Sequence, residues 1–363
     1  MKGLFIMYSI STSTSEAPSR QALRYTKLVG AGLIAFSALQ AVAADVTLPP
    51  VSIGAGLRTS YTHDSPDLGS DSDHFSLDSA RLYINGSVTE NIKFTFNTEY
   101  TGSPPSGTNN LQIMDAVARF EFSDAVNIWA GRFLPPSDRA NLYGPYYAND
   151  WNPYADGVAD FYPNVAVGRD NGVAYWGQYG RVKLQAGLFD GHSLGTGSDK
   201  ILSAARLMVD LWDVEGGYYL NGTYYGDKDL LAFGVAAQNQ DSDTSYSVDA
   251  LMEKKLPGGS AFTVEAEYQK DKGLINDSKG YYVLAAYTFP QIAGGGKFQP
   301  LVKYSKKTTD GLTFDTDVKT TEVNLNYLIK TFNARVSLFY LSQKTEPAAT
   351  TDNKIGLGLQ IQM

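Results

Sequence analysis

The residues in this chain that come nearest to a catalytic or metal-binding arrangement are two histidines and a run of acids. His63 and His74 stand close to Asp64, Asp71, Asp73 and Ser72, while His192, the third histidine, is isolated. A serine hydrolase needs a base in reach of its nucleophile, and a hard cation needs converging oxygen ligands. The spacing of these acids fits no EF-hand pattern, and the sequence contains no G-x-S-x-G, H-E-x-x-H or G-x-x-x-x-G-K-S/T. The chain has no Cys, which removes disulfides, cysteine zinc sites, haem attachment and a thiol nucleophile together. Neither an enzyme nor a bound cofactor or metal is expected.

A second chemical set is dispersed. Arg58, Arg81, Lys93, Arg119, Lys183, Arg206, Lys303 and Arg335 each fall on the polar register of a segment that alternates polar and apolar residues. Phe262, Val264, Ala266 and Tyr268 interleave with Thr263, Glu265, Glu267 and Gln269; Ala334 to Tyr340 and Ile355 to Met363 behave likewise. Alternation of this kind puts one set on each face of a sheet. The segments run for roughly ten residues, the length a tilted strand needs to cross a membrane, and longer than most soluble strands. Aromatics collect at their ends (Tyr61, Tyr100, Phe120, Phe122, Tyr268, Tyr304 and Tyr340), and short connections alternate with long ones. These are the marks of a transmembrane antiparallel β-barrel rather than a soluble sandwich. Sixteen strands result if 212–229 is one extended connection, and eighteen if it is a strand pair.

The beginning of the chain reads as an export signal. Arg20, Arg24 and Lys27 precede an uncharged stretch from Leu28 to Leu39, followed by Ala41-Val42-Ala43-Ala44 and Asp45. A basic region, an apolar core of about 12 residues and a small-residue exit describe a cleaved signal peptide. Residues 1–44 are therefore read as a signal peptide with an N-terminal extension, and 45–363 as one barrel domain. Residues 1–44 hold Lys2, Arg20, Arg24, Lys27 and Glu16, so the remainder carries 26 basic and 37 acidic residues, a net of -11. That balance does not suggest a nucleic-acid partner. Export places the barrel in the outer membrane of a Gram-negative-type cell, with lipid around it.

Several stretches resemble the phosphate-selective porin O and P family: Ala80–Tyr100 (ARLYINGSVTENIKFTFNTEY), Asp115–Phe122 (DAVARFEF), Asn127–Pro136 (NIWAGRFLPP) and Gly187–Gly191 (GLFDG). The resemblance implies a sixteen-stranded porin, usually a homotrimer, whose third outer loop folds inward to narrow a water-filled channel. The matching segment is 134–170, 37 residues long and well beyond ordinary connection lengths. It carries Asp138, Arg139, Tyr146, Tyr147, Asp150, Trp151 and Arg169, and its aromatics favour burial over disorder. Its other reading is an outer cap over the barrel mouth. In that frame Arg58, Arg81, Arg119, Arg132, Lys183, Arg206, Lys303 and Arg335 line the pore. Asp78, Glu99, Asp115, Glu121, Glu265, Glu267 and Glu322 share the inner face, and mixed walls select weakly. Phosphate specificity is therefore not carried over; small hydrophilic solutes or ions, with anions preferred, are the expected cargo. A non-conducting adhesin or scaffold, and more remotely a barrel hydrolase, are the alternatives. One departure from such barrels is Met363, which stands where an aromatic residue is common.

Overall fold

The computed structural model describes residues 50–102, 109–158, 168–191, 200–241, 243–272 and 276–363. The expected signal peptide and His192 lie outside these residues. Sixteen antiparallel strands follow one another around a closed barrel in which the first pairs with the last. The first four are β1 (Val51–Ser65), β2 (Ser72–Ser87), β3 (Ile92–Gly102) and β4 (Asn109–Glu121). Next come β5 (Asn127–Phe133), β6 (Asp170–Tyr179), β7 (Val182–Phe189) and β8 (Leu202–Asp210). Then follow β9 (Leu230–Gln240), β10 (Asp243–Leu256), β11 (Ser260–Asp271) and β12 (Ser278–Thr288). The circuit ends with β13 (Lys297–Thr309), β14 (Thr316–Lys330), β15 (Ala334–Glu346) and β16 (Thr350–Gln362). Closure pairs Gly56 with Gln362 through to Ser65 with Asn353. The count matches the sixteen-strand reading, and 211–229 is a single connection.

The alternation in the sequence becomes the two faces of the wall. On β10, Tyr246 and Val248 are exposed on the outside while Ser245, Ser247 and Asp249 are buried inside. Only a surrounding apolar phase makes that inversion favourable, because the backbone of a closed sheet leaves no unpaired edge. Outward aromatics group near both rims: Tyr246 with Tyr268 and Tyr281 with Tyr304 near one, Phe298 with Tyr327 and Tyr287 with Phe289 near the other. Three irregularities shift the register among the described residues: between Arg58 and Thr59 opposite Asp78, between Asn97 and Thr98 opposite Met114, and between Leu328 and Lys330 on β14. A bulge bends the strand and re-aims its side chains.

The fold separates two kinds of substitution. Arg placed at outward Val264 or Val336 should destabilise the barrel by about 2–4 kcal/mol, read as a lowered midpoint in urea titration of lipid-folded protein. The inner face is not uniformly permissive. Ser337 points inward, where parity alone predicts a mild effect, yet it is fully buried and donates to Asn326 Oδ1 at 2.7 Å. Arg at Asn85, which borders an open cavity, is the mild inner control.

Candidate functional site: a cavity between the barrel wall and two folded-in segments

The third connection on the rim opposite the termini, residues 134–169, is termed L3. Its described residues, 134–158 and 168–169, turn into the lumen. Pro135 and Pro136 lead to a short helix, α1 (Arg139–Tyr143), whose N-cap Asp138 accepts from the Asn141 backbone N–H at 2.9 Å. Burial raises the Asp138 carboxyl to about 7, against the pull of the Asn141 hydrogen bonds. Gly144 ends the helix at φ 68, a left-handed conformation that glycine adopts without strain. From there L3 runs along the inside of the wall past the seam between β1 and β16. Gly56 lies so close to Tyr146 that a Cβ there would stand 2.8 Å from its ring.

The wall holds L3 largely by its backbone. Arg335 donates to the carbonyls of Ala148 at 2.8 Å, Asn149 at 3.1 Å and Asp150 at 3.3 Å. Arg58 donates to Trp151 O at 2.6 Å and lies over the Trp151 ring. Glu322 accepts from the Trp151 and Asn152 backbone N–H groups, each at 3.2 Å. Lys303 bridges Asp150 at 3.1 Å and Asp156 at 2.9 Å. Buried polar groups must be paired to be tolerated, and these strand residues supply the pairs that a loop inside a barrel otherwise lacks.

A second segment enters from the other rim. Residues 211–229, between β8 and β9, fold into the lumen and meet L3 there. Leu220 N–H donates to Leu142 O at 3.2 Å, and Gly222 N–H to Tyr147 O at 3.0 Å. Arg139 of L3 binds Glu215 of this strap through both terminal nitrogens, at 3.1 and 2.6 Å, and Asn221 O at 2.8 Å. Burial disfavours the Glu215 carboxylate, but the Arg139 charge and hydrogen bonds outweigh it and hold Glu215 at about 2. On the other side Asp249 accepts from Arg206 at 2.5 and 2.8 Å. Sequence reasoning took 212–229 as one extended connection at the periplasmic side, or else a strand pair. The signal it passed over is the aromatic run GGYYLNGTYY, the same argument for burial that it applied to L3.

The two segments leave a cavity of about 670 Å³ against the wall of β1 to β5. Arg81, Asn85, Asn97, Asp115, Arg119 and Trp129 border it from the wall, and Tyr143, Tyr147, Arg169, Tyr219 and Leu220 from the folded-in segments. Arg81 is bonded to Glu99, Arg119 lies 3.5 Å from Glu121, and Arg169 lies 3.6 Å from Asp115. Of the residues expected to line a pore, Arg81 and Arg119 border this cavity, joined by Arg169 and Tyr147 of the expected constriction. The others are placed differently. Arg58, Lys183, Arg206, Lys303 and Arg335 face inward but are at most 5% exposed. L3 and the strap cover them, and Arg58, Arg206, Lys303 and Arg335 serve as clamps on L3. Arg132 pairs with Ala116 and Asn171 on the outer face; the alternation that turns Trp129 inward turns Arg132 out. Asp138, Arg139, Tyr146, Asp150 and Trp151 pack within L3 and against the wall.

The histidines lie elsewhere. His63 Nδ1 is 3.0 Å from Asp73 and His74 Nε2 is 3.0 Å from Ser72, on the exposed β1–β2 hairpin. Among the described residues no three His, Asp or Glu side chains are grouped to hold a metal ion.

A sequence model of the family described as phosphate-selective porin O and P matches residues 51–276. No curated protein matches the sequence. Solved structures with the same fold include an anion-selective porin from Comamonas acidovorans, 14% identical over 86% of this chain and 99% of that one, with a TM-score of 0.59. Salmonella typhi OmpF in complex with daunomycin is 12% identical over 87% and 98%, with a TM-score of 0.58. In-vitro folded OmpT of Vibrio cholerae, in a trimer form, is 12% identical over 86% and 99%, with a TM-score of 0.54.

Proposed function

The chain belongs to the phosphate-selective porin O and P family, and from that premise we propose that its cavity is the narrow section of a water-filled channel that favours small anions. As an outer-membrane porin it passes small hydrophilic solutes. The observation that carries the anion preference is the layering of charge at the cavity. Arg81, Arg119 and Arg169 border the cavity with Asp115, whereas Glu99 and Glu121 stand behind the arginines and do not border it. In a narrow water column between low-dielectric walls, the nearest fixed charges set the potential. The loop acids that give the chain its net negative charge are screened beyond about 8 Å at physiological ionic strength.

The reading includes no catalytic step: the paired histidines sit on the exposed hairpin, away from the cavity. It also includes a homotrimer. The outer face of β4 to β8 carries small residues at Ala116, Ala118, Ala130 and Ala205 beside Arg132, and small side chains let walls approach closely. An Arg there is better placed against a second copy than against lipid.

Measurement of the reversal potential across planar bilayers tests the proposal. In a salt gradient the wild type should favour chloride over potassium. Replacing Arg81, Arg119 and Arg169 together by Gln should move the reversal potential toward cations at low salt. The shift should shrink near 1 M, where the screening length falls to about 3 Å. A reversal potential that does not move at low salt would take these residues out of the ion path.

A further inference from the structure

The two sides of the cavity differ in kind, and the difference bears on what passes through it. The barrel wall offers Arg81, Asn97 and Arg119, while the segments opposite offer the rings of Tyr147 and Tyr219. Tyr147 packs edge-on against Phe332, with ring centroids 5.1 Å apart, and Tyr219 against Trp129 at 5.6 Å. Tyr147 is also 37% exposed, so its ring is presented to the cavity rather than sealed into packing. Phosphate is polar on every side and gains nothing from a ring face. An organic anion with a flat apolar body has one end for the guanidinium forks and another for the rings. The volume, about 670 Å³, is in the range of sites that enclose small organic molecules.

We infer that the cavity binds small organic carboxylates with a flat apolar body, in preference to fully hydrophilic anions. This deepens the anion-channel reading and rests on it. The carboxylate lies along the Arg81 and Arg119 side and the apolar body against Tyr147, Phe332 and Tyr219. Binding of this kind slows passage, so such an anion acts on the chloride current as a permeating blocker.

The experiment is a titration of chloride current in planar bilayers with benzoate, acetate and inorganic phosphate as probes. Benzoate should reach half-block at a concentration about tenfold below acetate, the size of effect that one good aromatic contact supplies. Phosphate should not outperform acetate by a comparable factor. In Tyr147→Ser and Phe332→Ser, each checked for folding by heat-modifiable gel mobility, the benzoate-to-acetate advantage should fall toward one. Equal half-block by benzoate and acetate, or no block by either, with chloride preference intact, overturns this inference alone. A wild type without chloride preference overturns the anion-channel reading beneath it. If neither variant folds, the three-anion series on the wild type still decides the matter.

Discussion

Deleting residues 137–168 and joining the ends by a short linker should raise single-channel conductance several-fold. L3 occupies the lumen from β8 round to β2, with Arg139, Tyr146 and Asp150 wholly enclosed. Its removal replaces protein with water across most of the barrel's section. The newly wetted wall carries Arg58, Arg206, Lys303 and Arg335 together with Asp249, Glu265, Glu267 and Glu322. Such a mixed ring discriminates weakly, so the conductance gain should come with loss of most of the anion preference. Gel mobility that still changes on heating shows that the barrel has formed. A folded deletion variant with unchanged conductance would mean that current does not pass where L3 lies.

The second large effect is expected at Arg139. Its guanidinium joins L3 to the strap through Glu215, both side chains at most 1% exposed, and its backbone N–H reaches Asp249 at 3.3 Å. Removing one partner of a buried pair leaves the other charge uncompensated, so Arg139→Met should cost about 3–5 kcal/mol. Arg139→Met combined with Glu215→Leu should recover part of the loss, because neither partner of the pair is then left charged without the other. Stability in urea reads the energies, and open-channel current noise reads whether the strap has come loose. The pair also fixes an acid response. The Glu215 carboxyl is held below its ordinary value of 4.5, at about 2. Its stabilisation is full above pH 4.5 and is lost as the pH falls toward 2. Current noise in the wild type should therefore rise over that interval, and the double variant should not show that component.

Much of the architecture was legible in the sequence because a barrel wall obeys period two at every strand. Phe262 to Gln269 and Ile355 to Met363 fall on the faces that alternation assigns them. The site was less legible, for a physical reason. Parity says which way Arg206, Lys303 and Arg335 point, but whether water or protein lies in front of them depends on where 134–169 and 211–229 go. That is fixed by pairings between residues far apart in the chain, such as Arg335 with Ala148 and Arg139 with Glu215. The bulges opposite Asp78 and Met114 have no local signature either. Arg132 is the opposite case: its outward direction follows from Trp129 three residues earlier, and only its nearness to L3 suggested the pore.

The clamps on L3 have a consequence for how the molecule is put together. Trp151 accepts from Arg58 on β1, Tyr146 O accepts from Gln360 on β16 at 2.9 Å, and Ala148 to Asp150 accept from Arg335 on β15. These strands stand on both sides of the junction where the chain's first strand meets its last. A register slip of one residue there would turn a polar face to lipid. The backbone of L3 presents its carbonyls at fixed positions, so it acts as a ruler against which the two ends are aligned. Bringing together residues about 300 apart is opposed by an entropy that grows only logarithmically with separation; finding the correct alignment is the harder part of closure. The segment folded into the lumen thus also ties together the two ends of the wall, holding β1, β15 and β16 in one register at the seam.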